Sequence, residues 1–269
     1  TLGLLYADHF PYLQKKTARG VRRTPFHHHL KENGAVFGEL AGWERANWFA
    51  NPGQDPSYAY SWKRQNFFDN VAAEHKAVRS NLGLYDMSSF GKIRVEGPDA
   101  CAFMNYIGGG QYDVPLGKIV YTQFLNDRAG IEADVTVTRL SETCYLVVTP
   151  AATRLADQTW MMRHKGAFNV VITDVTAGEA VLAVMGPNAR KLLERVSPND
   201  FSNAHNPFGT AQEIELGMGL ARAHRVTYVG ELGWEVYVSA DMAGHAFETI
   251  WQAGQEMEAK LCGMHMMDS

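Results

Sequence analysis

The chain has 269 residues, 46% hydrophobic and 20% charged, an ordinary globular balance with enough apolar content for one large or two smaller domains. Its 25 Lys and Arg against 29 Asp and Glu leave a formal charge of −4, so no basic surplus draws it onto a phosphate backbone and nucleic acid is not an expected partner. Cys101, Cys144 and Cys262 form no C-x-x-C pair, which argues against a disulfide framework or structural zinc and fits a reducing compartment, cytoplasmic or mitochondrial matrix; no apolar run approaches the roughly 20 residues that cross a bilayer, so no membrane partner is expected either.

The chain begins at Thr1 and stops at Met267-Asp268-Ser269 within an apolar stretch, which reads as a piece of something longer. Residues 1 to about 60, with TARGVRRTPFHHHL and GAVFGELAGWERANWFANPG, show little clean period. His27, His28 and His29 are adjacent, and adjacent side chains point in different directions, so a loop is expected there and not a metal site. Asn51-Pro52-Gly53 and Asp55-Pro56-Ser57 mark turns that set a small leading segment apart. From about Asn66 to Asn81, Phe68, Val71, Ala72, His75 and Val78 recur at three and four, the stripe of an amphipathic helix.

From Leu84 short strands alternate with helices, and one unit occurs twice. IRVEGPDACAFMNYI and LAVMGPNARKLLERV each run strand, Gly-Pro, then Asp or Asn and a helix. Ala100, Phe103, Met104 and Ile107 take the same offsets as Ala189, Leu192, Leu193 and Val196, so both helices bury the same face. Pro98 and Pro187 suit a first helical turn, and the glycine before each suits a tight exit from the strand. Further strands are expected at Ile119–Leu125, Ala133–Leu140, Tyr145–Thr149, Asn169–Thr173, Gln212–Leu216, Ala223–Tyr228 and Trp234–Val238, with helices at Ala152–His164 and Met242–Met257. The expected fold class is α+β, two duplicated strand-helix halves packed as helices on mixed sheets.

Gly108-Gly109-Gly110 lacks the Gly-Lys-Ser/Thr of a phosphate loop, and Gly217-Met218-Gly219 meets Arg222 where a dinucleotide fingerprint needs Gly or Ala. Both read as turns, so no flavin-binding dinucleotide domain is expected in this chain. No Ser or Cys stands near a base in the manner of a covalent nucleophile. Two segments carry more chemistry. In VYTQFLNDRAGIEADVTVTRL, Asp134 stands among Ile131, Val135 and Val137 of a strand that follows a hairpin connection. A carboxylate there needs a partner or a task, although an outward-facing aspartate on an alternating strand gives the same pattern. In RVTYVGELGWEVYV, Tyr228, Glu231, Trp234 and Glu235 surround two glycines: aromatic faces to stack on a flat heterocycle, and carboxylates to accept paired N–H donors. A glycine-rich hairpin with an aromatic core would read the same way.

With these segments in view, the sequence resembles the folate-binding domain shared by the glycine-cleavage aminomethyltransferase (T-protein) and the FAD-dependent dimethylglycine and sarcosine dehydrogenases and oxidases. GLYDMSSFGKIRVEGPDA, YTQFLNDRAGIEADVTVTRL, FSNAHNPFG and TYVGELGWEVYV match in order. TARGVRRTP and GWERANWFA are similar to the short central domain of the flavin-dependent members, which implies a division into residues 1–60 and a folate-binding domain over 66–269 that continues past the last residue. The resemblance puts the family's catalytic acid on Asp134, although T-proteins carry two successive aspartates where this chain has Ala133-Asp134. It puts folate contacts on Tyr121, Thr136, Thr149, Tyr228 and Glu235, and a further arginine beyond Ser269. It implies tetrahydrofolate as cofactor, FAD only in a domain outside this chain, and a methylated amine oxidised there, whose one-carbon unit is passed on to give 5,10-methylenetetrahydrofolate. Folate-dependent demethylation of an ether or sulfonium, T-protein-like aminomethyl transfer and a non-catalytic folate module are the alternatives. The sequence carries no signal for a particular amine, electron acceptor or oligomeric state.

Overall fold

The structure is a computed structural model and describes residues 3 and 6–269. Its leading part is more regular than the sequence suggests: β1 (Arg22–Arg23), α1 (His27–Glu32), β2 (Ala35–Leu40) and β3 (Trp43–Phe49), with the strands ordered β1-β3-β2. Ala41 and Gly42 turn β2 into β3 with φ of 51° and 84°, the two left-handed residues of a tight hairpin. No period was legible because β3 is buried on both faces, at Trp43, Glu44, Ala46, Asn47 and Trp48. The three histidines lie on a helix, not a loop, and point three ways: His27 stacks on Phe37, His29 on Phe247, and His28 meets Glu32 at 3.1 Å. Phe26, Leu30, Ala35 and Ala46 enter the same core as the six-stranded sheet described below.

The expected helix forms as α2 (Phe68–Ser80), but on a different face. Phe68 is 52% exposed, and the fully buried positions are Asn70, Glu74 and Val78. Two polar residues can line this face because the backbone satisfies them: Asn70 donates to the Phe49 carbonyl at 2.7 Å, and Glu74 accepts from the amides of Phe49 at 3.1 Å and Gly263 at 2.9 Å. Burial pushes the Glu74 carboxyl up from 4.5 to about 7 against those two bonds. A raised folded-state value means that the folded chain holds the proton more tightly than the unfolded chain. This contribution is therefore fully present below about pH 4.5 and lost as pH rises through about 7, a change on the order of 3 kcal/mol. Thermal unfolding of the wild type should show a fall in Tm from pH 5 to pH 8, and Glu74→Gln should flatten that slope. An unchanged slope would assign the effect to another group.

The rest of the chain runs β4 (Gly83–Asp86), β5 (Gly91–Glu96), α3 (Ala100–Ile107), β6 (Ile119–Leu125), β7 (Ile131–Ser141), β8 (Cys144–Thr149), α4 (Arg154–His164), β9 (Val171–Asp174), β10 (Glu179–Met185), α5 (Ala189–Val196), β11 (Thr210–Leu216), β12 (Gly219–Arg225), β13 (Gly233–Ser239), α6 (Ala243–Glu256), β14 (Lys260–Leu261) and α7 (Met264–Met267). Two large sheets result: one of six strands, β11-β12-β13-β10-β4-β14, mixed because β14 runs parallel to β4, and one of five, β6-β7-β8-β5-β9, antiparallel throughout where the sequence suggested a mixed sheet. The α+β class expected from the sequence holds. Helices α5 and α6 cover the outer face of the six-stranded sheet through Leu192, Leu193, Phe247 and Ile250, and α3 and α4 cover the outer face of the five-stranded one through Phe103, Met104 and Met161. The inner faces meet through Leu146 on one side and Val181, Ala183 and Tyr237 on the other.

The repeated unit is the corner between these layers. β5 leads through Gly97 into α3, and β10 through Gly186 into α5, with φ of +147° and +128° at the two glycines. A Cβ on either would come within 2.3 Å of a backbone carbonyl, that of Asn169 or of Asn81, so only glycine fits. Each corner thus swings its chain out of a sheet and onto that sheet's outer face, and leaves the inner faces free to oppose one another.

Candidate functional site

On the five-stranded sheet, Tyr121 stands directly opposite Thr136 and Gln123 opposite Asp134 in the β6–β7 ladder, so the four side chains share the inner face. Ala133, Val135 and Val137 alternate to the outer face and are buried under the helices. Asp134 is exposed, and each of its oxygens has a donor: Tyr121 Oη to Oδ2 and Gln123 Nε2 to Oδ1, both at 2.9 Å. The same bond to Asp134 raises the pKa of the Tyr121 phenol.

The six-stranded sheet answers with Glu235, which stands between Ala183 of β10 and His224 of β12 in the ladder. It is half-buried and accepts a 2.7 Å bond from Tyr237 Oη at Oε2. Burial raises its carboxyl, while the Tyr237 bond and the charge of Lys92 pull the other way. His224 stacks on Tyr237 at 4.2 Å, and burial beside Arg222 holds its imidazole well below the usual range, hence neutral. Tyr228 lies past the end of β12, in a loop where the sequence suggested strand, because β12 stops at Arg225. Its ring is 58% exposed, edge-on to Phe90 at 6.5 Å, and close enough to Tyr121 to contribute to the rise of that phenol. Tyr121 of the five-stranded sheet and this loop tyrosine therefore lie near one another.

Five of the six residues named from the sequence lie on the inner faces or, for Tyr228, in the loop near Tyr121. Thr149 is not. It follows Tyr145 and Val147 on the outer face of β8, and its hydroxyl bonds the buried carboxylate of Asp157 on α4. The parity of the strand takes it away from Asp134, so its role is to anchor a helix. Glu231, half-buried, pairs at 2.7 Å with Arg79 of α2. Sequence reasoning missed Gln123, Tyr237 and Lys92. The first two stand two residues from Tyr121 and Glu235 on the same strand faces, and that spacing could have found them. A cavity of about 410 Å³ is lined by Tyr237 with Arg94, Glu179 and Arg222, and Asp134 does not border it. Among the described residues no group of three or more His, Cys, Asp or Glu could hold a metal ion, and no helix is long and apolar enough to cross a membrane.

Two sheets with opposed inner faces and helices on the outside define an aminomethyltransferase-like fold: the glycine cleavage system aminomethyltransferase T from Bartonella henselae superposes with a TM-score of 0.74 over 93% of this chain and 61% of that one, at 24% identity. Residues 26–269 match the GCVT N-terminal domain, and the chain belongs to that family. It is 47% identical, over 100% of its length and 32% of the relative's, to a 4-methylaminobutanoate oxidase (formaldehyde-forming) of Paenarthrobacter nicotinovorans. It is 30% identical, over 92% of its length and 29% of the relative's, to the mitochondrial dimethylglycine dehydrogenase of Rattus norvegicus. The chain thus spans about a third of the length of these curated relatives, which are by name an oxidase and a dehydrogenase.

Proposed function

We propose that this chain is the tetrahydrofolate-binding part of an FAD-dependent N-demethylating amine dehydrogenase or oxidase, and that it directs the one-carbon unit onto the folate as 5,10-methylenetetrahydrofolate. The observation that carries this reading is the placement of Asp134 and Glu235 on the inner faces of two sheets that pack on one another, with Tyr228 close to Tyr121. The donor set fits a reduced pterin. Glu235 is an acceptor beside Ala183 and Tyr237, suited to paired N–H groups, and Tyr228 and Phe90 offer ring faces to a flat heterocycle. When bound, tetrahydrofolate supplies the nucleophilic nitrogen that takes up the one-carbon unit.

Asp134 orients that nitrogen and accepts its proton. Tyr121 and Gln123 fix the carboxylate plane while each oxygen keeps a further lone pair for the task. The negative charge also steadies a cationic iminium arriving from the flavin, which would hydrolyse to formaldehyde in bulk water. Release of formaldehyde without capture is the second reading, favoured by the name of the relative at 47% identity. FAD belongs to a part of the protein outside this chain, and the residues 1–60 and 66–269 correspond to the central and folate-binding domains. Anaerobic calorimetric titration should show saturable binding of tetrahydrofolate to this chain and none of FAD. Tight FAD binding would overturn the domain assignment, and absence of folate binding would leave the formaldehyde-releasing reading.

A further inference from the structure

Lys92 is fully buried at 0% exposure, which is rare for a lysine and costly unless its charge is used. In the ladder it opposes Val148, which opposes Thr136, which opposes Tyr121, so Lys92 lies on the inner face in the row of the Asp134 cluster. Its Nζ donates to the carbonyls of Ser88 at 2.8 Å and Phe90 at 3.1 Å and, among the described residues, makes no direct ion pair. Three carboxylates act on it: Glu179, Asp86 and Glu235. Glu179 is already matched by cations, and Asp86, on the far side from the opposed carboxylates, has two neutral donors besides Lys92. Glu179 has the guanidiniums of Arg94 at 3.4 Å and Arg222 at 3.2 Å. Asp86 accepts from the Thr24 hydroxyl at 2.5 Å and the Ser88 amide at 2.9 Å. Glu235 has a phenol, Tyr237, and no cation of its own.

We infer that Lys92 is a positioning residue for Glu235, a buried ammonium held on two carbonyls of one sheet whose charge keeps the carboxylate of the facing sheet ionised and ready to accept N–H donors. The inference rests on the reading of Glu235 as the acceptor for the pterin. Every other group facing Glu235 leaves this charge to Lys92. Tyr237 donates a hydrogen bond but remains a neutral phenol, His224 is neutral, and Arg222 is spent on Glu179 and on the His224 ring at 3.0 Å. Burial lowers the Lys92 ammonium to about 8, so it remains largely charged at neutral pH.

The sign of the pH effect follows. Without the cation, the Glu235 pKa rises, the carboxyl takes up a proton at a higher pH, and an acceptor becomes a donor. The test measures tetrahydrofolate affinity anaerobically from pH 5 to 9 in the full-length protein. Lys92→Gln retains N–H donors for the two carbonyls and removes the charge, and Lys92→Arg keeps the charge. The acid midpoint of binding should move up by about one to two pH units in Lys92→Gln, the usual effect of an adjacent opposite charge, and return toward wild type in Lys92→Arg. An unmoved midpoint, or a loss that is equal at every pH, overturns the inference, because a merely structural lysine would act without regard to pH. Glu235→Gln separates the two claims: if it binds folate as wild type does, the acceptor reading falls and this inference with it. Should Lys92→Gln not fold, infrared difference spectra of wild type against Glu235→Gln give the protonation directly, and a carboxyl still protonated at pH 7 overturns the inference.

Discussion

In the full-length enzyme, Asp134→Asn is expected to lower methylenetetrahydrofolate formation by about 10²- to 10⁴-fold, the range typical of a positioned acid–base group, while flavin reduction by the amine hardly changes. The substituted amide keeps the shape of the aspartate and one of its oxygens, so it can still accept from Tyr121 or Gln123, though not from both. It can neither take a proton from the folate nitrogen nor offset an iminium charge. Because Asp134 is exposed on a strand whose core face is built by Ala133, Val135 and Val137, the exchange should leave stability nearly untouched. Uncaptured product should appear as free formaldehyde, measured beside the folate product in one assay. Flavin reduction falling in parallel with folate product would place Asp134 in the oxidation step, or make it structural, and the proposed division of labour would be wrong.

Glu235→Gln is expected to weaken folate binding by about 2 to 4 kcal/mol, the penalty for a buried donor set against another donor. The structure gives this exchange little room to adapt. Tyr237 donates to Oε2, so the amide satisfies the phenol only by keeping its oxygen there. Its NH2 then turns toward the ring donors, and Lys92 loses the carboxylate it faces. Titration calorimetry reads the difference, and a change under about threefold, well below 1 kcal/mol, would mean that this carboxylate plays no part in holding the ring.

Where sequence and structure agree, local patterning was enough. β6 has the boundaries its alternation implies, and the two Gly-Pro corners carry the positive φ that their glycines advertise. What went unseen on β5 and α2 has one cause: burial imposed by distant parts of the chain. Nothing within GKIRVE marks Lys92 as buried, because the layer that covers its face comes from far away in sequence. On α2 the apolar stripe lost to Asn70 and Glu74 because the backbone of β3 and of the Gly263 turn offers them partners that lie far away in sequence. The Thr149 role came from the resemblance alone, and counting strand parity from Tyr145 would have turned it away. Asp134 and Glu235 could each be found in a segment, but nothing in either segment says that the two sheets face one another.

That facing arrangement makes the gap between the sheets a gauge. Asp134 and Glu235 belong to different layers, so no stretch of backbone fixes their separation; the side chains wedged between the layers do, among them Leu146, Val181, Ala183 and Tyr237. Ala183 sits beside Glu235 in the ladder and is small enough to let the opposite sheet come close. A bulkier residue there would act as a shim, widening the span across which a ligand must reach both carboxylates without touching either. Selection on the size of a molecule held between them can therefore operate on core packing, through residues that would ordinarily be counted as belonging to the fold alone.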